Sequence, residues 1–289
     1  MPVTVVTDTT HYLPPELVER HRLRSVPLYV NWRGTTRRES EFTDLDAFYD
    51  DLRSADELPT TSQPPVGDFL DAYRPLLDAG QDVVSIHLSA GISGTVGAAE
   101  RARADLVEQG LDPARLIVVD SATAAGGTGL MLIAAANAAA AGADAAQVAL
   151  AARVLRRELQ VRFAVDTLEF LRRGGRIGNA QAWVGSALKI KPILALESRV
   201  EAVERVRTWS RAFDRLLAHL EQRRAEGHDV WFVQHVQAGE QLARMIDRGT
   251  EMFGHGPEFA SEFGPVVGSH VGPGVIGVAA IRRDLLGPA

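Results

Sequence analysis

One imidazole stands between two runs of glycine and proline near the C-terminus, in Gly264-Pro265-Val266-Val267-Gly268-Ser269-His270-Val271-Gly272-Pro273-Gly274. Glycine permits close backbone approach and proline fixes φ, so the stretch describes a rigid loop shaped to hold something small. A histidine there donates from both ring nitrogens when charged, or donates from one and accepts on the other when neutral, which suits an anionic or polar group. A plain turn whose histidine bonds a nearby carbonyl would use the same residues. Two hydroxyl clusters offer matching chemistry. Thr60-Thr61-Ser62-Gln63-Pro64-Pro65 precedes the helix-like Val66 to Leu70, and Leu88-Ser89-Ala90-Gly91-Ile92-Ser93-Gly94-Thr95 joins a strand to a long helix. Hydroxyls beside the unpaired N–H groups of a helix start make a seat for an anion, or simply cap the helix.

Charged candidates are sparser. Asp8, in Thr7-Asp8-Thr9-Thr10 after the first strand, reads as a base, a metal ligand or a turn cap. The segment Thr167-Leu168-Glu169-Phe170-Leu171-Arg172-Arg173-Gly174-Gly175-Arg176-Ile177-Gly178 carries three arginines around a glycine pair. Guanidinium forks suit carboxylates and phosphates, and basic residues also stabilise a helix C-terminus ahead of a glycine stop. Lys189 and Lys191 alternate with apolar residues and read equally well as solvated edge charges. No pair of carboxylates, His-x-x-x-His helix, Gly-x-Ser-x-Gly elbow, P-loop or dinucleotide fingerprint is present. The absence of cysteine removes disulfides, thiolate metal sites and a cysteine nucleophile together. No catalytic machinery is in view among these residues, and no metal or cofactor is expected.

The elements that must position these residues read as α/β. Short β-branched runs at Val3 to Val6, Val26 to Val30, Asp82 to Leu88 and Arg115 to Val119 alternate with helical stretches, the pattern of parallel βα units. Pro14-Pro15-Glu16-Leu17 starts a helix, Asp44 caps the next, and Gly94 to Glu108 has helical apolar spacing. In an open parallel sheet ligands bind at the carboxyl ends of the strands, where the Ser93 turn falls. Past an alanine-rich helix around Gly129 to Ala146 and a second helix to Leu159, the character changes. Pro192 to Leu196 and Val200 to Val206 flank Glu197-Ser198-Arg199 as an antiparallel hairpin. Helices follow at Ser210 to Glu226 and Ala238 to Phe253, with strands at Val230 to His235, Glu258 to Phe263 and Gly274 to Ile281. The expectation is two domains, a parallel-sheet Rossmann-like domain over 1–160 and an α/β domain with a mixed sheet over 161–289, with a ligand cleft between them.

Composition sets bounds on partners. With 289 residues, 46% hydrophobic and 24% charged, the chain supports two ordinary cores. A net charge of −6 with interspersed signs argues against nucleic acid, which requires a concentrated basic surface. No apolar run reaches membrane-spanning length, and Met1 to Asp8 reads as a first strand, so a cytoplasmic protein without stable membrane insertion is expected.

Taken together these segments resemble the DegV family. The carrying residues, in the family's order and over nearly the full length, are Thr7 to Pro14, Thr60 to Pro64, Ser93-Gly94-Thr95, Thr167 to Ile177, Ile190 to Leu194 and the closing glycine-rich stretch. The resemblance implies a two-domain α/β protein that encloses one long-chain fatty acid and presents it to a separate kinase subunit, which uses ATP to form an acyl phosphate for phospholipid metabolism. It implies that Thr61, Ser93 and His270 hold the carboxylate and that Arg173 and Arg176 serve kinase docking. Small residues such as Ala124, Gly126, Gly127 and Gly129 suit the lining of an acyl tunnel, and suit core packing as well. The chain departs from the family pattern at Ala90, where a second hydroxyl is frequent, and at Val66, where small polar residues are common. The competing expectation is an enzyme of the dihydroxyacetone-kinase-like type acting on a small carbonyl or phosphate compound.

Overall fold

The computed structural model describes residues 1–184 and 190–287; Lys189 lies outside them. The chain forms two compact units, Met1–Tyr29 with Ser62–Glu158 and Arg283–Ala289, and Val30–Thr61 with Leu159–Arg282. The expected single cut near residue 160 is thus corrected: residues 30–61 belong with the C-terminal half, and the last residues with the N-terminal half. The physical reason lies in bonds that the 30–61 segment makes inside the second unit. The fully buried Tyr49 donates to the carbonyls of Phe263 and Gly264, at 2.6 and 3.2 Å, and the Glu39 carboxylate accepts the Val266 N–H at 2.8 Å.

The first unit is built on a four-stranded parallel sheet of β1 (Val3–Asp8), β2 (Arg24–Val26), β6 (Asp82–His87) and β7 (Leu116–Asp120) in the order β2-β1-β6-β7. Every residue of β6 is buried, which requires cover on both faces of the sheet. Helices α3 (Val66–Asp78) and α4 (Thr95–Glu108) supply Phe69, Tyr73, Ala98, Ala99 and Ala102 to a core shared with Val6, Val83, Leu116 and Val118. The alanine-rich helix α5 (Gly126–Ala140) and α6 (Ala145–Glu158) pack on each other and on the same sheet. The first eleven residues of α5 are all buried, as expected of a helix apolar on every side. The short α1 (Pro15–Arg20) begins with proline at its first position, where a missing N–H costs nothing.

The single strand expected over Val26 to Val30 is two. Pro27 has no N–H to give a ladder, and the chain leaves β2 there and enters a different sheet at β3 (Tyr29–Trp32), which joins β4 (Thr35–Arg38) and β5 (Thr60–Ser62) in the order β4-β3-β5. Helix α2 (Leu45–Ser54) follows, with Asp44 accepting the Ala47 N–H at 2.9 Å as its cap.

The second unit centres on a six-stranded mixed sheet of β8 (Arg162–Ala164), β9 (Lys191–Glu197), β10 (Arg199–Val206), β11 (Val230–Val236), β12 (Phe259–Glu262) and β13 (Val275–Ile281), in the order β10-β9-β8-β13-β11-β12. The hairpin β9–β10 turns at Ser198, whose φ of 68° is one that tight hairpin turns demand. Only the β11–β12 pair is parallel among the described pairings of this sheet. Helices α8 (Trp209–Ala225) and α9 (Gly239–Phe253) bury Phe213, Leu216, Leu220 and Met245 against Trp231, Val233 and Val278. Gly249 of α9 is the close-approach position: a Cβ there would stand 2.3 Å from the indole of Trp231. Two short helices, α7 (Glu169–Arg173) and α10 (Pro265–Val271), pack together and complete the unit. No helix among the described residues is long and apolar enough to cross a membrane.

Candidate functional site

The residue that the sequence places on a rigid loop lies on a helix. Gly264 is the N-cap of α10, Pro265 occupies its first position, and Gly272 at φ 73° ends it, leaving His270 in the last turn. The prolines and glycines that read as loop punctuation act instead as the start and stop of seven helical residues. Glu39 and Tyr49 hold the entry to this helix, because Val266 N–H is otherwise one of its unpaired N-terminal donors. Neither residue carries a signal in the sequence, since both act through contacts more than 200 positions away.

His270 Nε2 lies 2.7 Å from Thr61 Oγ1. Thr61 is on β5, an extended strand, so the hydroxyls of Thr60 to Ser62 are not the helix caps their sequence suggests; Pro65 is the N-cap of α3, which has no side-chain cap bond. On the other side of the ring Gly174 closes in: a Cβ on it would stand 2.3 Å from His270 Nδ1. The imidazole is clamped between a threonine hydroxyl and a bare backbone, and its buried Nδ1 has no hydrogen-bond partner among the described residues. Burial, aided by the Arg176 charge, lowers the His270 pKa to about 4, so the ring is neutral at physiological pH. A neutral ring that donates Nε2–H to Thr61 leaves the threonine proton to be donated outward.

A cavity of about 440 Å³ in the second unit is lined by Thr60, Thr61, Arg173, Gly174, Arg176 and His270, with Glu57 also on its wall. Arg173 is exposed and gives one N–H to the Asp56 carbonyl at 3.0 Å, while Arg176 donates to the Gly174 carbonyl at 2.7 Å. The structure therefore brings Thr61, His270, Arg173 and Arg176 to one cavity. Arg172 is apart from it, paired with Glu169 on α7.

Ser93 belongs to the first unit. Its Oγ lies 2.9 Å from Thr95 Oγ1 and accepts the Thr95 N–H at 3.3 Å, at the start of α4. Its loop touches the second hydroxyl segment within that unit, for a Cβ on Gly94 would fall 2.0 Å from the amide oxygen of Gln63. Ala124, Gly126, Gly127 and Gly129 are buried at the start of α5. Asp8 is fully buried and accepts the Thr10 N–H at 3.0 Å and the Leu88 N–H at 2.9 Å, the turn role among its expected readings. Lys191 pairs with the Asp166 carboxylate, which also accepts Trp209 Nε1–H at 2.9 Å, so it is not a free edge charge. No cluster of side chains suited to a metal ion occurs among the described residues.

The sequence model described as "Uncharacterised protein, DegV family" matches residues 2–283. The chain belongs to the DegV family. Protein DegV of Bacillus subtilis is 35% identical over 281 residues, which are 96% of this chain and 98% of that protein. Among solved structures, a DegV family protein from Thermus thermophilus described for its fatty acid binding is 38% identical, with a TM-score of 0.88 over 98% of this chain and all of its own. DegV from Bacillus subtilis, described as a fatty acid binding protein, superposes with a TM-score of 0.87 at 34% identity, again over 98% of this chain. The DegV fold accordingly accounts for both sheets, the parallel four-stranded one and the mixed six-stranded one.

Proposed function

We propose that this DegV-family protein binds one long-chain fatty acid and presents the carboxylate to a separate ATP-dependent fatty acid kinase, which forms the acyl phosphate, with no turnover by the chain itself. The observation that carries the reading is the Thr61–His270 contact of 2.7 Å at a cavity edged by arginines, in a chain whose relatives at 34 and 38% identity are described as binding fatty acids.

The division of labour follows from magnitudes. Burying an acyl chain contributes roughly 0.8 kcal/mol per CH₂, while a hydrogen bond to a charged group contributes about 1.5–3 kcal/mol. The tail therefore supplies most of the affinity and the polar groups orient the head. Thr61 and His270, joined by Ser93 on the strength of the family resemblance, are assigned to the carboxylate. A neutral imidazole behind the Thr61 hydroxyl orients that donor without adding a fixed positive charge, so the head group stays available to an incoming phosphoryl donor. Arg173 and Arg176 are assigned to docking the kinase, and the small buried residues at the start of α5 to the tail.

The test is direct. Delipidated protein incubated with long-chain acids should hold about one acid per chain by mass spectrometry of the extracted lipid, the stoichiometry of a single site. A chain that stays empty overturns the reading. With ATP alone the protein should yield no acyl phosphate, trapped as the hydroxamate; formation of product by the isolated chain would favour the competing enzyme.

A further inference from the structure

The first unit contains a buried chain of polar groups that the head-group assignment leaves unused. Tyr73 Oη donates to Ser85 Oγ at 2.7 Å, Ser85 Oγ lies 2.6 Å from His87 Nε2, and His87 Nδ1 lies 3.1 Å from Asp8 Oδ2. All four residues are completely buried. With the imidazole protonated on Nδ1 each group donates to the next and the carboxylate ends the series, so one direction satisfies every member. The connectivity of Ser85, His87 and Asp8 is that of a hydrolytic triad. It has no catalytic use here, because Ser85 is sealed in the core with its hydroxyl already engaged by Tyr73 and His87.

A buried carboxylate is costly unless its acceptors are filled, and apolar side chains of similar volume are often as stable. The location gives the reason for keeping one. Asp8 ends β1 and His87 ends β6, the two central strands, at the edge where the Ser93 loop begins. Asp8 Oδ2 accepts the Leu88 N–H at 2.9 Å, and Oδ1 accepts the Thr10 N–H and hydroxyl at 3.0 and 2.5 Å. The next amides of the loop are tied in turn: Ser89 N–H to the Thr123 carbonyl at 2.7 Å, Ala90 N–H to Asp120 Oδ1 at 3.2 Å, and Ser93 N–H to the Ser89 carbonyl at 3.1 Å. The first amide of the series is held by a carboxylate that His87 also contacts, and whose pKa lies below its ordinary value because hydrogen bonds and the His87 charge outweigh its burial.

We propose that Asp8 and His87 are positioning residues for Ser93, fixing through Leu88 the loop that aims its hydroxyl at the ligand carboxylate; this rests on the fatty-acid reading given above. The experiment is a pair of double-mutant cycles on the full chain, read as the dissociation constant for a long-chain fatty acid. Ser93→Ala should weaken binding roughly tenfold, as loss of a bond to a charged group does, and Asp8→Asn, which cannot accept on both sides, by several-fold. In the Ser93→Ala background Asp8→Asn should change affinity by less than about twofold, whereas with Thr61→Val the two effects should multiply. A merely structural role would act alike in both cycles. Multiplying effects of Asp8→Asn and Ser93→Ala, or unchanged affinity in Asp8→Asn, overturns the assignment. If Asp8→Asn does not fold, Ser85→Ala and Tyr73→Phe disturb the seat of His87 from the far end and must show the same dependence on Ser93. Wild-type protein that binds no acid defeats the fatty-acid reading itself, while normal binding that is indifferent to Ser93→Ala defeats this inference and the Ser93 assignment but leaves fatty acid binding standing.

Discussion

Gly174→Ala should separate ligand affinity from stability. The backbone of Gly174 has φ −75° and ψ −8°, which alanine adopts freely, so the substitution adds no backbone strain. Its new Cβ, however, would lie 2.3 Å from His270 Nδ1 and 3.1 Å from the Phe170 carbonyl. Ordinary contact requires the ring to withdraw by about 1 Å. It cannot slide toward Thr61, already at 2.7 Å, so it must rotate out of the clamp and lose that hydrogen bond. The lost bond costs about 1 kcal/mol and an off-rotamer ring a similar amount, offset in part by the roughly 0.4–1 kcal/mol that Gly→Ala contributes through the unfolded chain. Net stability should fall by no more than about 1–2 kcal/mol, seen by denaturant titration. Fatty acid affinity should fall roughly tenfold, because the Thr61 hydroxyl loses the partner that orients it. NMR titration of His270 supplies the decisive reading: the wild-type ring should titrate near pH 4 and the variant ring closer to its ordinary value, as burial is relieved. A variant that binds like wild type with His270 still titrating near pH 4 would refute the clamp.

Gly268→Ala should damage stability instead. Its Cβ would meet Tyr49 Oη at 2.1 Å, and Tyr49 is fully buried and bonded to two carbonyls, so overpacking should cost about 1–3 kcal/mol in denaturant titration; an unchanged midpoint would contradict this packing. The pH dependence has a definite sign. Burial lowers the pKa values of His11, His219 and His270 to about 4, below the unfolded value near 6.5, so the unfolded chain binds protons that the folded chain refuses. Stability should be fully present above about pH 6.5 and decline as pH falls toward 4. A stability curve flat between pH 7 and 5 would show that these rings do not carry depressed values.

Much of the fold was legible because its signals are local. The β-branched runs of β1, β6 and β7, the Asp44 cap, the alanine-rich helix and the hairpin around Ser198 each depend on residues adjacent in sequence. The glycine-rich segment reads as a loop for a related reason. Glycine and proline mark boundaries, and seven residues between them offer too few apolar positions to declare a helix, so the pattern of α10 is also that of a loop. Its formation depends on Glu39 and Tyr49, which no local pattern connects to it.

The sequence by itself determined the class of architecture and the membership of the candidate set, because parallel βα units, hydroxyl-bearing turns and one glycine-flanked histidine are properties of short spans read in order. Only the tertiary structure decided that residues 30–61 build part of the second unit, that Thr61 and His270 meet at 2.7 Å, and that Gly174 is bare so that an imidazole can lie against it. These are contacts across 209 positions for Thr61 and His270 and 96 for Gly174 and His270, set by burial, steric fit and the filling of polar groups. Such terms depend on what stands opposite a residue in space, and the order of the chain does not contain that information locally.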